Sequence, residues 1–409
     1  MNKFLKEFKD RGFFYQCTNE NELSEILDKK SIFAYIGFDS TASSLHVGSL
    51  LQIMSLRLLQ KHGHRPIILL GGGTTRIGDP SGKEETRKLL SEKEIESNIK
   101  NIEKVFKVFL KTKNKKLEPI FVNNYKWLRK LNYIKFLRDI GKHFTINKML
   151  SFDSVKLRLD REQSLSYMEF NYMILQAYDF LELNRKKDCI LQIGGSDQWG
   201  NIVNGVELIK RYSGKQAFGL TTKLITLSSG SKMGKSEKGA IWLNKSLLSP
   251  YEYWQFWRNT EDQDVLRFIK MFTDLGLDKI ESIKNENINK LKVILASEAT
   301  KLLHGEKEAN KAELTAKEIF QEKKISNKLP NYYIEKNNLS SGIGIVNILV
   351  ETNLVNSKGE ARRIILNKGI KINDSTVEKT DYLIKRENFQ NNLCKLSFGK
   401  KKHIVLTIK

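Results

Sequence analysis

Little in this chain of 409 residues offers itself to a metal or a cross-link. Cysteine occurs three times, at Cys17, Cys189 and Cys394, too few and too scattered for a disulfide framework or a zinc site. The six histidines form no pair with Cys or Glu at ligand spacing. Residues 1–14 mix Lys, Glu and Phe and lack the apolar core of a secretory signal. No stretch reaches the roughly 18 apolar residues that a membrane helix needs. A soluble, cytoplasmic protein with no membrane partner is expected. Acidic residues are also scarce: 47 Asp and Glu stand against 70 Lys and Arg, a formal net charge of +23. Such an excess either attracts a polyanion such as nucleic acid or keeps a Lys-rich protein in solution, and charge alone leaves both open.

Two common catalytic devices are missing as well. Gly230-Ser231-Lys232-Met233-Gly234-Lys235-Ser236 has one residue too few between its glycines for a phosphate-binding loop, and Gly82-Lys83 runs on into Glu84. Gly194-Gly195-Ser196-Asp197-Gln198 lacks the last glycine of a nucleophile elbow, so Ser196 is not supported as a nucleophile.

What is present is a globular composition, 40% hydrophobic and 10% aromatic, long enough for two or three domains. Up to about residue 230, short apolar strands (32–38, 67–70, 120–122, 189–193) alternate with helical patterns at 47–62, from Ser91 onward and at 162–183. Ser91 and Glu94 form a capping box. The alternation predicts an α/β fold with a doubly wound, mostly parallel sheet, which binds ligands beyond the carboxyl ends of its strands. Beyond residue 245 the pattern is helical up to about 320, opened by Ser249-Pro250-Tyr251-Glu252. A polar linker follows, and then a small α+β segment, 342–409, with 13 basic and 6 acidic residues, net +7. Its second helix starts at Ser357 and Glu360, and its last two strands turn at Gly399.

Four segments offer chemistry. Residues 35–49 join a strand end to a helix N-terminus, where unpaired N–H groups favour an anion; His46 there is either a capping residue or a ligand. Gly71-Gly72-Gly73 with residues 74–83 and Arg87 either makes a turn or lets a ligand approach the backbone. Tyr172, Gln176 and Asp179 share one helix face among apolar neighbours, a buried polar stripe that needs partners. Gln192, Asp197 and Gln198 add hydrogen-bonding groups beside the next strand end. Lys232 and Lys235 lie in a Gly/Ser-rich loop, either as solvated charges or poised over phosphates.

In this order, residues 35–49, Gly78-Asp79-Pro80-Ser81-Gly82-Lys83, residues 172–179, 194–200 and 232–236 resemble bacterial-type tyrosyl-tRNA synthetases over nearly the whole chain. His46-Val47-Gly48-Ser49 is similar to the family's HIGH motif with Ser in the last place. Lys232 to Ser236 is similar to KMSKS with Gly234 in the middle, and Ser40 stands where many members have Pro. Residues 342–409 resemble the RNA-binding domain named after ribosomal protein S-four.

The resemblance implies a Rossmann-like class I catalytic domain (1–230), a KMSKS-like loop with a helical anticodon-binding domain (231–325), a linker (326–341) and the RNA-binding domain (342–409). It implies a ligase that activates L-tyrosine with ATP, as its Mg²⁺ complex, to tyrosyl-adenylate and then charges tRNA(Tyr). No tightly bound metal or organic cofactor is implied. His46, Lys232 and Lys235 would stabilise phosphate charge. Gly37, Asp39, Gly48, Gly195 and Asp197 would hold the nucleotide. Asp79, Tyr172, Gln176 and Gln198 would hold the amino acid's ammonium and carboxylate, and Tyr35 and Asp179 its phenol. Lys83 and Arg87 would meet phosphates or tRNA, as would Arg362, Arg363, Lys368, Lys371, Lys400, Lys401 and Lys402. A homodimer joined through residues 127–148 is implied too. The competing readings are a tryptophanyl-type enzyme and a non-catalytic RNA-binding protein on the same scaffold.

Overall fold

The structure, a computed structural model, describes all residues except 81–89, 229, 231–232, 237–238, 321–328, 340–341, 391 and 400–401. Two units emerge: residues 1–248 with 260–303, and residues 249–259 with 304–409.

The first unit is built on a six-stranded sheet. After helix α1 (Lys3–Asp10) come β1 (Phe14–Cys17), α2 (Glu20–Lys29), β2 (Phe33–Asp39), α3 (Leu50–Lys61) and β3 (Arg65–Gly71). Then follow α4 (Glu92–Phe109), β4 (Ile120–Asn123) and five short helices: α5 (Tyr125–Leu128), α6 (Tyr133–Asp139), α7 (Ile146–Leu150), α8 (Asp153–Asp160) and α9 (Tyr167–Phe170). The long α10 (Tyr172–Lys187), β5 (Cys189–Gly195), α11 (Trp199–Ser213) and β6 (Phe218–Thr222) complete the sheet region. The strand order is β1-β6-β5-β2-β3-β4, parallel except where β1 pairs antiparallel with β6. Connections run outward from β2 to β4 on one side and from β5 to β6 on the other. The winding therefore reverses between β2 and β5, and a crevice opens there at the strand ends.

The parallel strands read as apolar runs because both faces are covered; β3 is buried from Pro66 to Gly71. Helix α4 starts at the expected capping box of Ser91 and Glu94. The helix expected at 162–183 is instead two pieces. Glu162 takes a left-handed φ of 53°, a second capping box (Ser166 and Glu169) opens α9, and α10 begins only at Tyr172. The buried Arg158 holds that corner through the Ser164 carbonyl and Glu169.

The strand pair β7 (Lys235–Ser236) and β8 (Gly239–Ala240) also belongs to this unit, as do α13 (Val265–Phe272), α14 (Leu277–Ile283) and most of α15 (Ile288–His304). In the second unit α12 (Pro250–Arg258), capped by Ser249 with proline in its first turn, packs on α16 (Glu306–Phe320). A five-stranded sheet follows, in the order β12 (Ser375–Thr376), β11 (Ile370–Ile372), β14 (Leu393–Phe398), β15 (Lys402–Ile408) and β9 (Asn331–Ile334). A small pair, β10 (Ile343–Gly344) with β13 (Leu383–Ile384), and the helices α17 (Ile345–Glu351) and α18 (Lys358–Leu366) complete it. The reading of 326–341 as a linker is corrected: β9 lies inside it and pairs parallel with β15, and Ile334 joins the apolar core of this unit. Asn331, Tyr332 and Tyr333 look polar and isolated in sequence, and the partner that makes them a strand is about seventy residues away. Among the described residues, no helix is long and apolar enough to cross a membrane.

Candidate active site

A cavity of about 450 Å³ lies at the reversal of the winding. Its walls carry Tyr35, Gly37, Asp39, His46, Gly48, Asp79, Tyr172, Gln176, Asp179, Gly195, Asp197 and Gln198. The structure thus gathers residues from four elements and their loops into one crevice.

At the closed end, Tyr35 on β2 is buried against Phe180, and its hydroxyl meets no partner among the described residues. Beside it Asp179 is 2% exposed. Burial pushes its carboxyl up to about 7, against the pull of its hydrogen bonds from Asn124 and Trp127 and with added repulsion from Asp39 and Glu182. Asn124 Nδ2 donates to one carboxyl oxygen at 2.8 Å and Trp127 Nε1 to the other at 2.7 Å. The same burial raises the Tyr35 phenol well above its usual range, so it stays protonated. An unpaired hydroxyl and an acidic group side by side suit a ligand that brings a hydroxyl of its own.

The middle of the cavity is wired by two chains of hydrogen bonds. In one, Asn124 also donates to Thr74, Thr74 donates to Asp39 at 2.7 Å, and the Tyr172 hydroxyl donates to the other Asp39 oxygen at 3.1 Å. Tyr172, expected at the ammonium group, and Asp39, expected at the nucleotide, are therefore one unit. In the other, Gln198 donates to Asp79 at 2.9 Å, and Asn201 donates to both Gln198 and Gln176 at 3.1 Å. Asn124, Trp127, Thr74 and Asn201 were not anticipated. Asn201 had a signal, since it lies three residues after Gln198 on the same helical path.

Side chains at Gly71 and Gly72 would collide with Asp39 and Asn123, so these glycines give room to the polar side chains that shape the wall.

At the open end, His46 caps the turn before α3: its Nδ1 accepts from the Gly48 amide at 3.0 Å. That bond places the ring proton on Nε2. The loop after β6 comes back to this point. Val47 donates to the Ile241 carbonyl at 2.9 Å and Leu243 to that of Leu45 at 2.9 Å. Gly234, at φ 117°, leaves no space for a Cβ, which would lie 2.8 Å from His46 Nδ1 and 3.0 Å from the Gly48 nitrogen. The two signature loops touch through this glycine pair. Lys232, Lys83 and Arg87 lie outside the described residues. The backbone of Lys235 forms β7.

The remaining basic candidates belong to the second unit. Arg362 and Arg363 are exposed on α18 and Lys371 on β11. Lys368 pairs with Glu378 at 2.9 Å, and Lys402 lies 4.8 Å from the Phe398 ring centroid. Lys400 and Lys401 fall outside the described residues.

Comparison with known proteins agrees with this geometry. Residues 27–321 match the family described as tRNA synthetases class I (W and Y), and residues 321–406 match the tyrosine–tRNA ligase SYY-like C-terminal domain. The chain is 66% identical over 404 residues to the tyrosine–tRNA ligase of Pelagibacter ubique, covering 99% of each chain. It is 51% identical over 408 residues to that of Caulobacter vibrioides, covering 99% of this chain and 97% of the relative. The crystal structure of a C-terminally truncated mitochondrial tyrosyl-tRNA synthetase from Aspergillus nidulans superposes with a TM-score of 0.70 at 30% identity, covering 78% of this chain and 94% of that one. From the cavity at the winding reversal to the C-terminal sheet, the chain belongs to the class I tyrosine–tRNA ligases.

Proposed function

We propose that this protein activates L-tyrosine with ATP and passes the tyrosyl group to the 3′ end of tRNA(Tyr). The observation that carries the reading is the closed end of the cavity. There the Tyr35 hydroxyl and the Asp179 carboxyl lie buried side by side, with the hydroxyl lacking a partner among the described residues, as a phenol requires and an indole does not. The tyrosine ammonium group sits among Asp79, Gln176 and the Tyr172–Asp39 pair, with Gln198 toward its carboxylate. One carboxylate oxygen attacks the α-phosphorus, the bond to the bridging oxygen breaks, and pyrophosphate leaves. No protein nucleophile is needed, so the protein contributes position and charge. His46 offers its Nε2 proton to the phosphates at the N-terminus of α3, where backbone N–H groups add their own pull. Lys232 and Lys235 add cationic charge from the loop seated on Gly48. ATP arrives as its Mg²⁺ complex, the ion being part of the substrate.

The second unit supplies the tRNA grip, with Arg362, Arg363 and Lys371 exposed on one small domain. A homodimer fits the exposed apolar side chains Tyr133, Ile134, Leu137, Ile146, Leu150 and Tyr167, which are crowded into one stretch of the first unit. The test is exchange of labelled pyrophosphate into ATP. Exchange dependent on tyrosine and not on tryptophan supports the reading; tryptophan-dependent exchange, or none, removes it.

A further inference from the structure

Gly234 seats the loop after β6 on Gly48, but the start of that loop has little apolar burial to hold it. Leu224, Thr226 and Ser228 are exposed. What this stretch meets instead is the turn that opens α13. Asp264 there is a carboxylate only 3% exposed. One of its oxygens accepts from the Ser228 amide at 2.8 Å, and the other accepts from Arg267 Nη2 at 2.6 Å. The same Arg267 nitrogen donates to the Thr226 carbonyl at 2.6 Å, and the Ser228 hydroxyl donates to Glu261. Asp264 stands at the N-cap position of α13, yet its side chain makes no capping bond to that helix. A buried carboxylate turned away from its own helix is thus given to Arg267 and to the loop, through charge-assisted bonds of the stronger kind.

Such a tie fixes the loop only if the helix behind it is fixed. Helix α13 buries Val265, Phe268, Ile269 and Phe272. Its far end is gripped by Arg11, itself 4% exposed, which donates to the carbonyls of Lys270 at 2.7 Å, Thr273 at 3.3 Å and Leu275 at 2.9 Å. The loop is also closed on itself, since the Met233 amide donates to the Ile225 carbonyl at 3.3 Å. A shift at Thr226 and Ser228 is therefore passed to Met233, which Lys232 and Lys235 flank in sequence. Held side chains on rigid elements are what precise charge placement requires. We propose that Asp264 is a positioning residue for tyrosine activation: with Arg267 it fixes the start of the loop, and through it the two lysines, without touching substrate. This rests on the assignment of the cavity to tyrosine activation.

The experiment is single-turnover formation of tyrosyl-adenylate by the full chain, comparing the native protein with Asp264→Ala, Asp264→Asn and Ser228→Pro. Tyrosine affinity is read by equilibrium binding, and thermal melting controls for folding. Asp264→Ala should slow adenylate formation about 10- to 100-fold at saturating substrates, the scale of losing a preorganised charge, with tyrosine affinity unchanged. Asp264→Asn keeps an acceptor for the Ser228 amide and should return the rate to within about threefold of native. Ser228→Pro removes the amide proton at an exposed position and leaves the buried pair in place. It should reproduce the slowing even where Asp264→Ala melts early. A native rate in the folded Ala or Pro variant, an Asn variant no faster than Ala, or a loss shared equally by tyrosine affinity would overturn the role of Asp264 and leave the proposed function standing. A native protein that forms no adenylate overturns both.

Discussion

A carboxyl that burial pushes up to about 7 is held in place by an asparagine and an indole, and this tension at Asp179 governs the closed end of the cavity. The folded state binds the Asp179 proton more tightly than the unfolded chain does. Stability should therefore fall as pH rises from about 4 to about 7 and level off above. Asp179→Asn should flatten that slope, read by urea unfolding at a series of pH values; an unaltered slope would place the titration elsewhere. The phenol of a bound tyrosine donates to the ionised form, so the KM for tyrosine should worsen on acidification through the same range. Tyr35→Phe removes the unpaired hydroxyl. It should lower the kcat/KM preference for tyrosine over phenylalanine, mainly through tyrosine, because a pocket built around a hydroxyl rejects the ligand that lacks one. The reference case for that asymmetry in enzyme specificity is itself a tyrosyl-tRNA synthetase. A folded variant with the parent's preference would mean that Tyr35 does not touch the phenol. Asp179 stood out in the sequence because a polar stripe on an apolar helix demands partners, whereas Tyr35 entered only through the family resemblance. Trp127 and Asn124 could not be read there, since each lies more than fifty positions from the carboxyl it holds and follows no periodic pattern.

Between elements, the contact of Gly234 with His46 and Gly48 predicts that a side chain there lifts the loop away from the phosphates. Gly234→Val combines a Cβ clash with a β-branched residue at φ 117°. It should slow adenylate formation in single turnover by roughly 10- to 100-fold, a few kcal/mol in barrier, with tyrosine binding unchanged. A normal rate would show that the loop works without this seat. A different junction ties α1 to α3. Glu7 receives Arg11 at 2.8 Å and His62 at 2.7 Å, with Lys61 at 3.4 Å. Burial opposes its ionisation, but these three partners outweigh it and hold the carboxyl at about 2. A depressed carboxylate stabilises the fold above the unfolded value of 4.5, and the gain disappears as pH falls toward 2. Glu7→Gln should thus lose about 1–3 kcal/mol near neutral pH and nothing at the acid end, by denaturant midpoints. Capping boxes at Ser91 and Ser249 and the apolar runs of β2, β3 and β5 could be read directly. The break before α10 and the strand β9 could not, because a left-handed Glu162 and a parallel partner near the C-terminus leave no local mark.

At the scale of the molecule, the cavity and the basic C-terminal segment draw on different cores. Every described residue lining the cavity comes before position 225, whereas the C-terminal core begins at Ile334 and closes on itself through Leu406. A chain ending at residue 320 should keep tyrosine-dependent pyrophosphate exchange, lose at least about tenfold in tRNA charging, and bind tRNA with a flatter salt dependence as fewer counterions are released. Normal charging by the shortened chain would reduce the basic C-terminal surface to a solubility feature. The net +7 of 342–409 marked a basic segment in the sequence, while the addition of β9 to its sheet needed three dimensions.

The place of β15 between β14 and β9 also bears on how the protein is made. Both flanking strands leave the ribosome before the one that joins them. Until β15 follows, β9 has no partner in the sheet and β14 lacks one of its two, each an open template for a strand from another nascent chain. Assembly of this sheet is thus deferred until β15 has been made, and a frameshift or early stop within 402–408 should yield insoluble protein rather than a shortened, working enzyme.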